Sequence, residues 1–592
     1  MRVARLILFA GLLLWGVEAH AMPAVIIAGA ASWAGGAIAS SLMLTGFAAT
    51  AFGAAFSFAV NSFASSLFGR ESSASQDMGQ LSGFTAEAQG RTQVVRSSVE
   101  PHSLVIGEVM KSGPLIYAET TGASNEYLHL VIPLAPHQVF DIGEVRFNDV
   151  AIGDVDASGN VTTGPFAGYA RVKKRLGAAG QVADADLIAE SGGKWTSAHV
   201  GNGVSDLTIR LKWSQNVYPT GIPNIKALLK GALLEDPRDD VTRYSNNWAL
   251  AVRWYLKRAA IEGGLAAEDD EVDDDYSIAA ANLSDERVRM ATYTNTFTVD
   301  ASTDLVTLAE TEKTIATGDG VRVASDTTLP GGLTADTTFY WSRQSDTAGY
   351  FCATAQDALE GVPMDLTTAG TGIHTVTHWD QARYTCNGTI DTSRRPLDIL
   401  QDLMTAGAGT LTYPAGTFRV MGGAYTTPVG SLTESELRGP MSTRRGIPRE
   451  ERYNGFRGTY SNPANFWQPS DFPPVTNATY VTEDGEEIWR DINLPYTTDI
   501  VRSQRIATIH LEESRMDVVT DYPAKLKAFD FAVFETANLS IAKYGWAPLV
   551  MRVTDWRLVA GGFGVDLKLR KTLASVYDWS AGDARAATQA PD

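Results

Sequence analysis

Cysteine is almost missing from this chain: Cys352 and Cys386 are the only two in 592 residues. That excludes a dense disulfide framework. Neither lies in a CxxC pair or beside a histidine at zinc-ligand spacing, so both read as ordinary buried thiols, with one disulfide between them as the alternative. An excess of positive charge is also missing. The net charge is −19, which argues against a phosphate-binding surface, because affinity for nucleic acid comes largely from Lys and Arg releasing counterions. The chain has no Walker-type phosphate loop, no HExxH and no GxSxG elbow. No catalytic, cofactor-binding or metal-ligating residue is therefore assigned, and the expectation is a protein that is not an enzyme and carries no cofactor.

The longest absence is at the start. From Ala19 to Gly69 there is no Asp, Glu, Lys or Arg. Before it, Arg2 and Arg5, the apolar run Leu6–Val17 and the ending Ala19-His20-Ala21 read as a secretory signal. The uncharged run is rich in Ala, Gly, Ser and Phe and has room for one or two membrane passes. Two readings stay open for residues 1–69: a membrane-active segment, or a small-residue helical hairpin buried against other subunits. Met22-Pro23 is an alternative start.

What is present is globular: 44% hydrophobic residues leave no case for global disorder. So long a chain should divide into several cores. Residues 70–91 are Ser-rich and read as a linker. Strand patterns follow, as in Leu128–Ile132, Val145–Phe147 and Leu207–Trp213, whose strict alternation puts Leu207, Ile209, Leu211 and Trp213 on one buried face. Trp248, Val252 and Tyr255 give one apolar face to a helix near 246–258. Thr294–Thr377, full of Thr, Asp and Gly, has short strand candidates (Phe297–Val299, Gly320–Val323, Phe339–Trp341) and reads as a small β domain inserted at 294–378 between 92–293 and 379–579. A helix should start at Pro396, with Leu397, Leu400 and Met404 on one face and Gly407 beyond its end. Met551–Leu558 and Val565–Leu569 flank Ala560–Gly564 as a hairpin. Residues 580–592 read as a disordered tail. The fold class is thus mainly β (α+β): several antiparallel barrels or sandwiches, a few supporting helices and an N-terminal hydrophobic helical segment.

Four constellations invite chemistry. The acidic run Glu268–Asp275 suggests calcium but lacks the central Gly and terminal Glu of an EF-hand, so it reads as a solvated loop. His374 and His378 are four apart, which in an extended strand is about 13 Å, too far for one metal. His510 beside Glu512 and Glu513 reads as the solvated face of a helix. The pairs Glu486-Glu487 and Asp239-Asp240 carry no geometric information.

Many short stretches resemble the lambda-like tail-tip attachment protein J, or siphophage tail hub, family. They include Val105-Ile106-Gly107-Glu108-Val109, Ser112–Tyr117, Leu128–Ile132, Asp141–Val145, Thr220–Ile225, Leu229-Lys230-Gly231, Asp236-Pro237-Arg238, Tyr244–Leu250 and Ile278–Val288. Further on come Tyr384–Asp391 with Cys386-Asn387-Gly388, Tyr453–Gly458, Phe472-Pro473-Pro474 and Glu483-Asp484-Gly485. The likeness covers most of 90–580, so that 92–293 and 379–579 correspond to N- and C-terminal hub domains. It implies a homotrimeric ring at the tail tip of a virion. That ring would close the tail tube, contact the distal tail and other tail-tip proteins, and let DNA pass as cargo only, through a conduit that a negative surface can line. Long family members continue into receptor-binding regions, so receptor recognition is expected on a separate fibre. The uncharged N-terminal run is outside the family pattern; plugged in the lumen, it would contact the host membrane on ejection. A secreted or membrane-anchored bacterial β-domain protein and a tail-associated cell-wall hydrolase are the rival readings.

Overall fold

A computed structural model describes residues 101–585, apart from 102, 220, 311–314, 449–451 and 560–562. The signal-like segment, the uncharged run and the linker lie outside these residues, as do 586–592. The described chain is mainly β, built of several antiparallel sheets and one closed barrel.

The first part holds ten strands: β1 (Ser103–Ile106), β2 (Glu108–Lys111), β3 (Tyr117–Thr121), β4 (Tyr127–Ala135), β5 (Val139–Phe147), β6 (Val150–Ala151), β7 (Ala170–Arg175), β8 (Ser205–Lys212), β9 (Ile225–Asp236) and β10 (Val241–Tyr244). The short helix α1 (Ala185–Glu190) lies between β7 and β8, and α2 (Trp248–Lys257) follows β10. One sheet runs β10-β9-β5-β6 with β2 also on β9; another runs β3-β4-β8-β7. Their facing sides share one core, where Leu130, Ile132, Leu207 and Ile209 meet Val145, Phe147 and Leu229. Alternation in β8 places Leu207, Ile209 and Leu211 there as the pattern predicts. Trp213 does not join them and is 59% exposed. The β4–β8 ladder ends at the Tyr127–Lys212 pair; the Trp213 N–H still donates to the Glu126 carbonyl at 2.7 Å, but among the described residues no strand lies opposite its side chain. In α2, Asn247 caps the N-terminus by accepting the Ala249 and Leu250 N–H groups, and Trp248, Val252 and Tyr255 are fully buried.

Next come α3 (Asp274–Asp285), β11 (Arg287–Asp300), β12 (Leu305–Leu308), β13 (Gly320–Ser325), β14 (Thr338–Arg343), β15 (Ala348–Cys352), α4 (Ala355–Glu360) and β16 (His374–Ala382). The strands close into a barrel in the order β11-β12-β15-β14-β13-β16. Its interior is filled by apolar side chains including Phe297, Val321, Trp341, Phe351 and Val376, so it is a packed core and not a pore. The acidic run is no loop. Asp269–Glu271 form a 3-10 turn capped by Glu268, and Asp273 caps α3 by accepting the Tyr276 N–H. Carboxylates collect there because a helix N-terminus favours them. Asp274 also binds Arg253 at 2.9 Å and Asp269 binds Lys257 at 2.8 Å.

After β17 (Gly388–Asp391) the chain enters α5 (Pro396–Thr405), with Pro in the first turn, and the hairpin β18 (Thr410–Thr412) and β19 (Arg419–Met421). The buried face of α5 is Ile399, Leu400, Leu403 and Met404; Leu397, expected among them, is 36% exposed because the first turn sits at the surface.

The last part contains β20 (Gly430–Thr433), β21 (Ser442–Arg445), β22 (Gly455–Asn462), β23 (Gln468–Asp471), β24 (Val475–Thr476), α6 (Ala478–Asp484), β25 (Trp489–Leu494), α7 (Ile500–Ser514), β26 (Val518–Lys525), β27 (Thr536–Ile541), β28 (Trp546–Val559) and β29 (Gly564–Lys571). One sheet has the order β20-β27-β28-β29-β26-β21; the other is β23-β22-β24, with β25 parallel to β22. The hairpin expected from Met551 to Leu569 is present as β28 and β29. Residues 580–585, read from the sequence as part of a disordered tail, instead form a 3-10 turn. It is tied down by Arg585, which donates to the carbonyls of Pro474 and Thr476.

Candidate functional site: a buried junction of four segments

β1 and β2 are separated by one residue, Gly107, with φ +58°. This left-handed kink lets β1 pair with β17 while β2 pairs with β9. A Cβ at Gly107 would overlap the Asn387 side chain and the Cys386 carbonyl, and a Cβ at Gly231 of β9 would overlap the Val105 carbonyl. Glycine is needed at both places because two backbones cross there.

Asn387 ties the crossing together. Its Oδ1 accepts the Glu108 N–H at 2.9 Å, its Nδ2 donates to Thr498 Oγ1 at 3.1 Å, and its backbone N–H donates to the Tyr496 carbonyl at 3.0 Å. The neighbouring Cys386 N–H donates to the Asn246 carbonyl at 2.8 Å. Four segments distant in sequence (105–109, 229–247, 384–391 and 496–499) thus meet in one network. The barrel is held to it through α4: Gln356 Nε2 donates to the Tyr244 carbonyl at 2.9 Å, and Lys230 Nζ to the Leu359 carbonyl at 2.6 Å.

A cavity of about 70 Å³ remains between these elements, lined by Glu108, Lys230, Tyr244, Arg343, Trp467 and Asp499 among others. It has room for a few waters and is far smaller than a pocket for an organic substrate. Burial raises the pKa of Glu108 above the usual carboxylate value, opposed by the charges of Lys230 and Arg343. Burial also raises the Tyr244 phenol, with Glu108 and Asp141 adding to it. The Cys386 thiol is pushed up by burial, and Cys352 is pushed up to about 12 by burial and by Asp357. Both are free, buried thiols, and such thiols are poor nucleophiles. The arrangement fixes chain segments relative to one another.

The residues that attracted attention in the sequence lie elsewhere. His374 and His378 both point into the barrel from β16. His374 faces Ser325 Oγ and the Ala369 carbonyl at 3.0 and 3.1 Å, and His378 faces Asp319 at 3.2 Å. Among the described residues, no group of three His, Cys, Asp or Glu could hold a metal ion. The solvated-face reading of His510, Glu512 and Glu513 is corrected. Glu512 accepts the Tyr480 hydroxyl at 2.6 Å, Glu513 accepts Arg552 and Tyr577 at 2.8 and 3.0 Å, and burial lowers the pKa of His510, which stacks on Phe456. Their helix, α7, packs on β22 and the turn at Ala574–Tyr577, Tyr480 reaches it from α6, and Arg552 and Arg570 reach its last turn from β28 and β29, none of which lone periodicity shows. Asp239 binds Arg243 at 2.8 Å and shapes the β9–β10 turn. Sequence reasoning missed Thr498, Asp499 and Arg343 at the junction. Only the N-cap pattern of Asp499 before α7 signals any of them.

No protein-family model and no curated protein matches the chain. Among solved structures, the chain is similar to a protein of the virion of a native gene transfer agent particle. That match covers 82% of this chain and 88% of the other at 12% identity and a TM-score of 0.45. A tail protein from Neisseria meningitidis MC58 matches 49% of this chain and 94% of its own at 10% identity and a TM-score of 0.25. The 43 kDa tail protein of prophage MuSo2 from Shewanella oneidensis matches 48% of this chain and 98% of its own at 10% identity and a TM-score of 0.23.

Proposed function

We propose that this chain is a structural, non-enzymatic subunit of a phage or phage-related tail, and within it the tail-tip hub. One observation carries the reading: segments scattered along the sequence that resemble the tail hub family come together at one junction. Gly107, Glu108, Lys230, Gly231, Tyr244, Asn246 and Asn387, all within those segments, make the crossing contacts there. A part built to hold strands in fixed relation suits a ring that bears load and has no turnover to perform.

In this reading three copies form a closed ring, since heterologous contacts close only at a fixed rotation. The ring contacts the distal tail and other tail-tip proteins, and DNA passes through it. The net charge of −19 keeps such a wall from gripping the DNA. Residues 22–69 would sit in the lumen and reach the host membrane on ejection.

Two experiments test the reading. Cryo-electron microscopy of tails carrying an epitope insertion in the exposed turn at Gly192-Gly193 should show three labels at the tip; labels along the tube would contradict it. Deleting residues 22–69 should assemble normal tails that fail to deliver DNA into cells; unchanged delivery would sink the membrane part of the proposal and leave the hub part standing.

A further inference from the structure

Strand β25 pairs with β22 along one edge, and among the described residues no strand pairs its other edge. Beside it lies a cleft of about 480 Å³. Four consecutive residues of the strand, Arg490, Asp491, Ile492 and Asn493, all line this cleft. Successive side chains of a strand point to opposite faces, so a run of four brings the strand's backbone as well as its alternate side chains to the cleft. Among the described residues, no backbone group of these four is hydrogen-bonded outside the β22 ladder. An open edge of this kind is a template for another strand.

The rest of the lining, with residues from β22 and α7, is aromatic and basic. Tyr453, Phe456 and His510 supply flat faces, and Arg490 lies over the Tyr453 ring at 4.9 Å. Both carboxylates of the cleft are already matched by arginines: Asp491 by Arg457 at 2.7 Å and Glu513 by Arg552 at 2.8 Å. Neither arginine facing the cleft has such a match among the described residues. Arg570 donates to the carbonyls of Met516 and Glu513, and Arg490 makes only the ring contact. With Arg457 and Arg552 offsetting the two carboxylates, Arg490 and Arg570 leave positive charge at the groove in a chain of net charge −19.

We propose that this cleft takes an extended, acidic segment of a partner polypeptide as an added strand on β25. Backbone groups would supply affinity, and alternate acidic side chains would meet Arg490 and Arg570. β25 spans about 20 Å, enough for a segment of roughly six residues.

The test uses the full chain and a fluorescein-labelled peptide alternating valine and glutamate over six residues, followed by fluorescence polarisation. Binding is expected. It should fall by about tenfold with alternate N-methylation of the peptide and by about tenfold in Arg490→Glu, while Arg490→Lys retains it. Arg490 is exposed, so the circular dichroism spectrum should not change in either variant. Absence of binding, or equal binding of the N-methylated peptide, overturns the proposal. So does full displacement by glucuronic acid at concentrations matched to the peptide, which would mark an anion pocket. Peptide exclusion that is relieved only when Arg490→Glu turns an oligomer into a monomer overturns it too, and gives the edge to a second copy of this chain.

Discussion

The side-chain oxygen of Asn387 accepts the backbone N–H of Glu108 at 2.9 Å, across 279 positions of sequence. The same side chain fills the space that a Cβ on Gly107 would need. The crossing of β1 and β2 over β17 therefore depends on one residue having no side chain and another having an amide of the right reach.

Gly107→Ala should destabilise the chain by about 2–4 kcal/mol, since it combines a left-handed φ with an overlap against backbone. Asn387→Ala should cost about 2 kcal/mol by leaving the Glu108 N–H unpaired. Urea unfolding followed by tryptophan fluorescence checks both. Because the residues share one contact, the double variant should cost less than the sum.

Trp248 packs against Gly407 and Gly409 and donates to the Leu403 carbonyl at 2.7 Å. Trp248→Ala should cost about 4 kcal/mol and Gly407→Ala should also destabilise, by forcing a methyl group against the indole. Chemical denaturation midpoints give the order.

Two acidic residues should respond to pH in opposite senses. Asp484, hydrogen-bonded to Arg515, Asn454 and Arg452, has its pKa lowered to about 2. Its stabilisation is present above about pH 4 and is lost as the pH falls toward 2. Asp484→Asn should lower stability at pH 7 and remove that acid-dependent step. Glu108 is raised by burial, so its folded state favours the neutral form. Its contribution is greatest in acid and is lost as the pH rises through the folded pKa. Glu108→Gln should match the native chain near pH 4 and equal or exceed its stability at pH 8. A fall in stability at pH 8 would show that Lys230 and Arg343 outweigh burial.

Neither thiol of the native chain should react with Ellman's reagent at pH 8, because Cys352 and Cys386 are buried and their pKa values are raised. Both should react after unfolding in guanidinium. A fast-reacting thiol in the native state would contradict the buried placement.

Much of the local structure was legible in the residues. The alternation in Leu207–Leu211, the apolar spacing of Trp248, Val252 and Tyr255, and the first-turn Pro396 each mark an element that forms. Periodicity reports which residues want burial, but not where a neighbouring strand stops, which is why Trp213 is exposed. Composition marks Glu268–Asp275 as polar, yet the same carboxylates serve as helix caps. At the junction, Gly107, Gly231 and Asn387 stand in segments that the family resemblance singles out. Their mutual contact is a product of tertiary closure that no local pattern encodes. The open edge of β25 was not foreseeable, because strand pairing partners are chosen only in the assembled fold.

The central claim is tested most directly by quantitative mass spectrometry of purified virions or induced tails, measuring copies of this chain against the tube subunit. The hub reading predicts about three copies per tail, as a threefold ring requires. Absence from the particles, with the protein recovered in the bacterial envelope, would contradict it and favour a secreted or membrane-anchored β-domain protein.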